Sequence, residues 1–275
     1  MTADHPHEHG HHEHHHDEPI GPEEAVRSLL LLGQTALDAG DFESAVIAYE
    51  SVLKIGLDET ALINLGSLYA RGLGVRRSFV DAARLFHQAE LLGNARAGKL
   101  CGKCMYDFIH EGFDGKKPSD LYAAMAVFVS RVYPEAEDPH QEVDHGLFAV
   151  AATHYNNGEF AEAAKVFRAG AEFAGDGLAQ YYLAMLYDAG SGVEQSDLAA
   201  LYWLDRAVDS GSADMALEYR DGILDAYRQS LPEGEFRQVI ERLAAWCDQS
   251  TADIPADPDK AQRWRAISQG CSQTG

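Results

Sequence analysis

The feature that most constrains this chain is a pattern that recurs after 118 residues without a gap. Its centre reads Gly-x-Gly-Val, first at residues 72–75 and again at residues 190–193. The matching positions are Leu65, Gly66, Tyr69, Gly72, Gly74, Val75, Ala82, Phe86, Ala89 and Gly93, then Leu183, Ala184, Tyr187, Gly190, Gly192, Val193, Ala200, Leu204, Ala207 and Gly211. Self-similarity at this scale predicts a solenoid of helical pairs, in which no unit buries its apolar face without its neighbours.

The charge balance limits the classes of partner. Forty-four acidic residues against twenty-two Lys and Arg leave a formal charge of −22 over 275 residues. A field of this sign repels phosphate backbones and anionic lipid headgroups, so we expect neither nucleic acid nor a membrane surface as a partner. A basic peptide or protein suits the field better, although solubility alone is the commoner reason for an acidic surface.

The sequence shows no signal for export or membrane insertion. No basic region followed by an apolar core opens the chain, and the apolar run at residues 28–32 is too short for a signal peptide or a membrane span. The four cysteines are too few and too unevenly spaced for a disulfide framework. We therefore expect a cytoplasmic protein.

Residues 1–21 form a tail rich in histidine and acidic residues, and residues 2–18 contain no aliphatic side chain larger than Ala. Such a segment cannot offset its ordering entropy by burial, so we expect it to be disordered. Closely spaced neutral imidazoles can bind Ni²⁺, Zn²⁺ or Cu²⁺, and this binding should weaken below about pH 6. The candidate ligands are His5, His7, His9, His11, His12, His14, His15 and His16. An expression tag or a solvated low-complexity tail is the alternative interpretation.

The folded part is predicted to begin at Pro22, because proline followed by two glutamates suits the first turn of a helix. From residue 26 onward, large and small residues alternate at the spacing of a helical pair. Gly33 and Ala45 are small where two helices would cross closely, while Phe42 and Tyr49 would fill the space between them. This spacing resembles a tetratricopeptide repeat.

In the next unit the turn between the two helices is longer by four residues and carries the Gly-x-Gly-Val pattern at residues 72–75. This longer turn is the mark of the Sel-1-like repeat, and residues 65–93 resemble that family. Residues 183–211 resemble it more closely still. The resemblance implies an all-α fold, an α-solenoid of antiparallel helix pairs wound as a right-handed superhelix.

The predicted repeats divide the chain into five segments. Residues 1–21 are the tail, and residues 22–133 are a triplet of one tetratricopeptide-like, one Sel-1-like and one degenerate unit. Residues 134–142 contain two prolines and are predicted to be a linker. Residues 143–249 form a second triplet of the same kind, which ends with a helix pair at residues 213–229 and 235–247. Residues 250–275 complete the chain with a loop and a capping helix.

Motifs that suggest chemistry have simpler interpretations. Cys101 and Cys104 occupy positions equivalent to the apolar Leu65 and Leu68, so packed thiols are favoured over half of a zinc site. Residues 93–99 nearly match a phosphate-binding loop, but they lack the following Ser or Thr that ligates magnesium. No nucleophile has a recognisable base nearby in sequence. We expect no enzymatic activity and no required cofactor.

The resemblance also implies a ligand surface, because the first helix of each pair lines the concave groove of a tetratricopeptide-like solenoid. The corresponding residues are Arg27, Leu30, Gln34, Leu37, Asp38, Ser67 and Arg71 in the first half, and His145, Phe148, Tyr155, Asn156, Tyr181, Met185 and Asp188 in the second. Aromatic residues flanked by polar ones are typical anchors of peptide grooves. Packing of Tyr155 and Tyr181 between helices is an equally good interpretation.

Two functional hypotheses follow. The first is a non-enzymatic adaptor or scaffold that binds a peptide or a protein surface in this groove. The second is a metal-handling protein whose histidine tail buffers Ni²⁺, Zn²⁺ or Cu²⁺ or delivers it to a client.

Overall fold

The computed structural model describes residues 21–112, 117–210, 212–249 and 256–270. These residues form helices and connecting turns, with no β-strand among them. The helices are α1 Pro22–Ala39, α2 Phe42–Ile55, α3 Glu59–Arg71, α4 Phe79–Leu91, α5 Ala95–Gly112, α6 Pro118–Val132, α7 Pro139–Asn156, α8 Phe160–Ala169, α9 Gly177–Ala189, α10 Asp197–Asp209, α11 Ala213–Ser230, α12 Glu233–Asp248 and α13 Pro258–Gly270. A π-helical turn, Gly170–Ala174, continues α8. The predicted all-α fold is confirmed.

The helix bounds reproduce the sequence offset. Helices α3 and α4 reappear 118 residues later as α9 and α10, with the same lengths and the same starting positions. The side chains that cap the second helices recur as well, because Ser78 accepts from the Asp81 amide and Ser196 accepts from the Ala199 amide. The repeat in the sequence is therefore a repeat of local structure.

Most helices pack against the next helix in the chain, whereas α5 with α6 and α11 with α12 make few contacts. The most extensive contacts join neighbours such as α1 with α2, α3 with α4, α7 with α8 and α9 with α10, and the next helix then packs on each pair. The buried residues form one continuous hydrophobic cluster through the described parts of the chain. This is the organisation expected of a solenoid. The right-handed sense of its superhelix stays a prediction.

Small residues occupy the closest helix crossings, as predicted. A Cβ atom built on Gly33 would lie 2.8 Å from the ring of Tyr49, and one built on Gly66 would lie 2.8 Å from the ring of Phe86. Both rings are almost fully buried. Any larger residue at these glycines would push the ring, and with it the second helix, away from the first.

The long turn of each Sel-1-like unit rests on the preceding helix pair. Gly74 and Gly192 have φ values of 67° and 72°, a region that favours glycine. A Cβ atom on Gly192 would lie 2.3 Å from the carbonyl carbon of Phe160, at the start of α8. On Gly74 it would lie 2.4 Å from the carbonyl carbon of Phe42 in α2. The turn backbone therefore contacts the earlier pair directly.

The predicted linker is shorter in the structure. Helix α7 begins at Pro139, so residues 139–142 form its first turn rather than part of a connection. The reason is a local cap, since the Asp138 carboxylate accepts hydrogen bonds from the amides of His140 and Gln141. Proline at the first helical position costs no hydrogen bond.

The end of the chain is paired differently from the prediction. Helix α12 packs much more extensively against α13 than against α11, and α11 packs against α10. An ionic cluster holds α13 in place. Lys260 is 2% exposed, and its Nζ lies 3.3 Å from Asp205 Oδ2 and 2.9 Å from Asp209 Oδ2 on α10. The Nε1 of Trp264 donates a hydrogen bond to Asp205 Oδ2. A buried charge is tolerated because it is paired and hydrogen-bonded.

The cysteines that the structure describes are packed thiols, as predicted. Cys101, Cys104 and Cys247 are free and buried. Burial raises the pKa of the Cys104 thiol to about 12 and that of Cys247 to about 11. Both thiols therefore stay protonated at neutral pH. Among the described residues, no helix has both the length and the apolar character that a membrane span requires.

Replacing two helical glycines by alanine should change stability in opposite directions. Gly66→Ala places a methyl group against Phe86 and should lower the free energy of unfolding by about 1–3 kcal/mol. Gly102→Ala, on α5, meets nothing within 4 Å and should raise it by about 0.5–1 kcal/mol through helix propensity. Urea denaturation followed by circular dichroism measures both. Equal effects of the two substitutions would contradict the close crossing.

Candidate functional site

The predicted groove residues of the first half lie on the first helices of their pairs. Arg27, Gln34 and Asp38 are exposed on α1, and Arg71 is exposed at the end of α3. Gln34 Nε2 donates to Asp38 Oδ1 over 2.9 Å. These polar side chains face solvent and form no cluster with the aromatic residues of the second half.

The structure brings together the aromatic residues predicted in the second half. Tyr182, which the sequence analysis did not select, links them. Its ring centroid lies 5.7 Å from that of Phe148, 5.5 Å from that of Tyr155 and 5.8 Å from that of Tyr181. All four rings are half-buried. His145 and Asn156 are exposed on α7, the helix that also carries Phe148 and Tyr155.

Tyr155 and Tyr181 differ in their surroundings. The Tyr155 ring also contacts Phe160 and Phe167, at centroid distances of 5.4 and 6.4 Å, so it is a packing residue of the α7–α8 pair. Tyr181 instead faces α11, with its ring 6.2 Å from that of Tyr219. Of these two predicted anchors, Tyr181 is the one that borders open space.

An open groove of about 530 Å³ lies between α9 and α11, and we call it the α9–α11 groove. Its lining is mostly apolar or aromatic and consists of Tyr181, Met215, Glu218, Tyr219, Gly222, Ile223 and Ala226. The Met215 side chain is 50% exposed. An apolar, concave surface of this kind is a usual site for a bound ligand or peptide.

Two tyrosine–aspartate hydrogen bonds fix the rotation of α11. Tyr219 donates to Asp188 at the end of α9, and Tyr227 donates to Asp197 at the start of α10. Burial, followed by the bond to Asp188, raises the pKa of Tyr219, so its hydroxyl stays protonated and donates at neutral pH. The predicted groove residue Asp188 therefore positions the groove wall, and the half-buried Met185 lies one turn before it on α9.

Gly222 lies in the middle of α11, and no contact or backbone angle there requires a glycine. Its φ is not positive, and a Cβ atom added to it would meet nothing within 4 Å. Glycine in a helix interior costs about 1 kcal/mol relative to alanine. The surface of the groove lining is therefore open at Gly222, and we call this place, where α11 lacks a side chain, the notch.

Sequence reasoning missed the α11 half of this groove because α11 belongs to a unit that departs from the repeat pattern. The sequence of α11 nevertheless contains a pattern that indicates this half of the groove. Met215, Tyr219, Gly222 and Ala226 recur at intervals of four, three and four residues, which places them on one face of a helix. Buried neighbours such as Ala216 and Leu224 lie on the face that packs on the core.

A second groove, of about 310 Å³, lies between α5 and α7 and includes the predicted residue His145. It is bordered by Met105, Tyr106 and Tyr133. His154, whose ring centroid lies 4.7 Å from that of Tyr106, is 1% exposed, and its Nδ1 lies 2.7 Å from Glu159 Oε2. His154 is thus a packed side chain that makes an internal hydrogen bond, which is the interpretation that its repeat position favours.

No group of three or more His, Cys, Asp or Glu side chains in the described ranges is arranged to hold a metal ion. The candidate ligands between His5 and His16 lie outside the described residues. Metal binding by the tail therefore stays a prediction.

Comparison with protein families decides the nature of the repeats. The Sel1 repeat family matches residues 60–94, 177–212 and 240–264. This chain contains three Sel1 repeats. The first two span α3–α4 and α9–α10, as predicted, and the third covers the end of α12 and the first half of α13. That third match agrees with the packing of α12 on α13.

Solved structures of Sel1-repeat proteins are similar to this chain. A protective antigen of uropathogenic Escherichia coli strains with an SLR fold is 21% identical over 89% of this chain, at a TM-score of 0.28. The chain spans 54% of the length of that antigen. A Sel1 repeat protein from Oxalobacter formigenes is 20% identical, covering 90% of this chain and 88% of that one, also at 0.28.

A Sel1 repeat protein from Klebsiella pneumoniae subsp. pneumoniae gives 20% identity over 74% of this chain and 95% of that one, at a TM-score of 0.28. No curated protein sequence matches the chain. The α9–α11 groove is formed by the first helix of the second Sel1 repeat and the helix that follows the repeat.

The Glu159→Gln variant tests the contact between buried His154 on α7 and Glu159, which lies in the turn between α7 and α8. The hydrogen bond from His154 lowers the pKa of Glu159, and the bond from Tyr106 acts in the same direction. Because the pKa of Glu159 is lower in the folded protein, its carboxylate stabilises the fold at pH values above the pKa of an unfolded Glu, about 4.3. This stabilisation is lost as the pH falls through the pKa that Glu159 has in the folded protein. The Tm of Glu159→Gln should therefore be below that of the wild type at neutral pH.

The difference in Tm should shrink as the pH is lowered towards the range where Glu159 is protonated in the wild type. Thermal melts over a pH series measure it, with Glu162→Gln as the control because Glu162 pairs with Lys165 at the surface. A Tm difference that does not depend on pH would contradict the contact.

Proposed function

We propose that this protein is a non-enzymatic scaffold that binds a peptide segment of a protein partner in the α9–α11 groove. The observation that carries the proposal is an open, mostly apolar groove between the first helix of the second Sel1 repeat and the helix that follows this repeat. Sel1-repeat folds commonly serve as protein-interaction scaffolds. Buried thiols without disulfides suit a reducing compartment, which supports a cytoplasmic location.

The lining can supply binding energy. Tyr181 and Tyr219 are held by their ring contacts and by the bond to Asp188, so a ligand orders them at little cost. Met215 is flexible and adapts to the shape of an apolar partner. Each large apolar side chain that a partner buries here contributes about 1.5–3 kcal/mol.

The exposed Met215 gives a sharper test than the aromatic residues. Truncating Tyr155 would also remove its packing against Phe160 and Phe167, so loss of binding could reflect loss of structure. Met215 is 50% exposed and its replacement leaves the core intact. Leu217, 39% exposed on another face of the same helix, offers a matched control.

A random peptide library displayed on phage should yield peptides that bind the full chain. Met215→Glu places a charge in the apolar groove and should weaken those peptides by about 30-fold, the loss typical of removing one interface anchor. Leu217→Glu should leave their affinity unchanged. Fluorescence anisotropy with the recovered peptides measures both variants, and circular dichroism confirms their helicity. A library that yields no peptide sensitive to Met215→Glu would overturn the proposal.

A second candidate function is favoured by one observation, the eight histidines between residues 5 and 16. We propose that this tail binds Ni²⁺, Zn²⁺ or Cu²⁺ and buffers the metal or presents it to a client of the scaffold. Deleting residues 2–16 should abolish metal binding in calorimetric titrations with each ion and should reduce growth of the source cells under metal stress. Full metal affinity after the deletion, or unchanged growth, would contradict this role.

A further inference from the structure

Helix α11 carries two parallel stripes along its open side. The apolar stripe is formed by Met215, Tyr219, Gly222 and Ala226. The acidic stripe lies one residue before each of them, at Asp214, Glu218, Asp221 and Asp225, and all four carboxylates belong to exposed residues. Both stripes follow intervals of four, three and four residues and therefore run side by side along the helix.

The surroundings of the groove are acidic. Helices α7, α9 and α11 hold no lysine, and their two arginines, Arg220 and Arg228, are paired with Asp221 and Asp225. Arg220 also pairs with Asp205. Asp214 and Glu218 have no ion-pair partner within the described parts of the chain. Glu218, the charged residue of the groove lining, can therefore form an ion pair with a cationic side chain of a partner.

The corresponding helix of the first half has a different surface. Helix α5 exposes Arg96, Lys99 and Lys103, as an ordinary solvated face does. Lys103 is paired with Asp107 four residues later. The equivalent helix of the first half therefore does not share the acidic stripe of α11.

Gly222 lies at the centre of the apolar stripe, between Tyr219 and Ala226. Nothing inside the protein requires glycine at this position, because a Cβ atom would meet open space. Tyr219 and Ile223 line the same groove, so the open surface at Gly222 is part of it. A notch of this kind admits an apolar side chain from a partner.

We propose that the occupant of the α9–α11 groove is a basic amphipathic segment of a partner protein. One apolar side chain of the segment enters the notch at Gly222, its other apolar residues lie against Met215 and Tyr181, and a Lys or Arg pairs with Glu218 or Asp214. The acidic stripe spans residues 214–225, about 17 Å of helix, which corresponds to three turns of a helical partner. This inference rests on the proposed peptide-binding function and adds the chemistry of the ligand.

The peptides recovered from the random library provide the first test. They should be enriched in Lys and Arg next to apolar residues, relative to the unselected library. Peptides that bind the groove without a basic bias would overturn this inference and leave the proposed function standing. Failure to recover any groove-dependent peptide would overturn both.

Filling the notch provides the second test. Gly222→Leu improves helix propensity and should keep or raise the Tm, yet it should weaken the recovered peptides by about 30-fold because it excludes their anchor. The matched control is Gly102→Leu, since Gly102 is also an exposed mid-helix glycine with open space around it, on α5. The control should leave affinity unchanged. Unchanged affinity in Gly222→Leu would show that the notch is not used and would overturn the inference.

Reversing the charges of Glu218 and Asp214 tests the proposed pairing with a Lys or Arg of the bound peptide. Glu218→Lys combined with Asp214→Lys should weaken basic peptides by about 10-fold, and added salt should reduce the difference between variant and wild type. Peptide variants with Glu in place of Lys should bind the protein with both Lys substitutions more tightly than they bind the wild-type protein. Equal affinity of basic and acidic peptide variants for the wild type would contradict the proposed pairing.

Discussion

The contact on which the stacking of this protein depends is between the backbone of a turn and the start of an earlier helix. At Gly192 there is no room for a side chain, because the turn lies directly on Phe160 at the beginning of α8. The same contact joins Gly74 to Phe42. These two turns, at residues 72–75 and 190–193, thereby set the distance between their own helix pair and the pair before it.

The groove is a consequence of this stacking and of two polar bonds. Once α9 and α10 are placed on the preceding pair, Tyr219 and Tyr227 fasten α11 to the Asp188 and Asp197 carboxylates. That fixes which face of α11 packs on the core and which remains open. The open face carries Met215 and Gly222, so the polar bonds determine that an apolar surface is presented to a partner.

Most of the fold could be predicted from the sequence, because the repeat pattern records close contacts between residues near in the chain. Gly66 and its opposing Phe86, twenty residues apart, are an example. The burial of Lys260 could not be predicted, since its partner Asp205 lies 55 residues away and no local pattern links them. Of the groove, Tyr181 was predicted from the motif, whereas Gly222 required knowing that its surroundings are open.

The central claim is that a peptide binds between α9 and α11, and hydrogen–deuterium exchange of the full chain tests it most directly. Exchange is measured with and without a peptide recovered from the library, at a concentration that saturates the protein. We predict slower exchange in the first half of α9, around Tyr181, and along α11, with α1 to α4 unchanged. Protection confined to α1 to α4, or to the groove between α5 and α7, would contradict the claim.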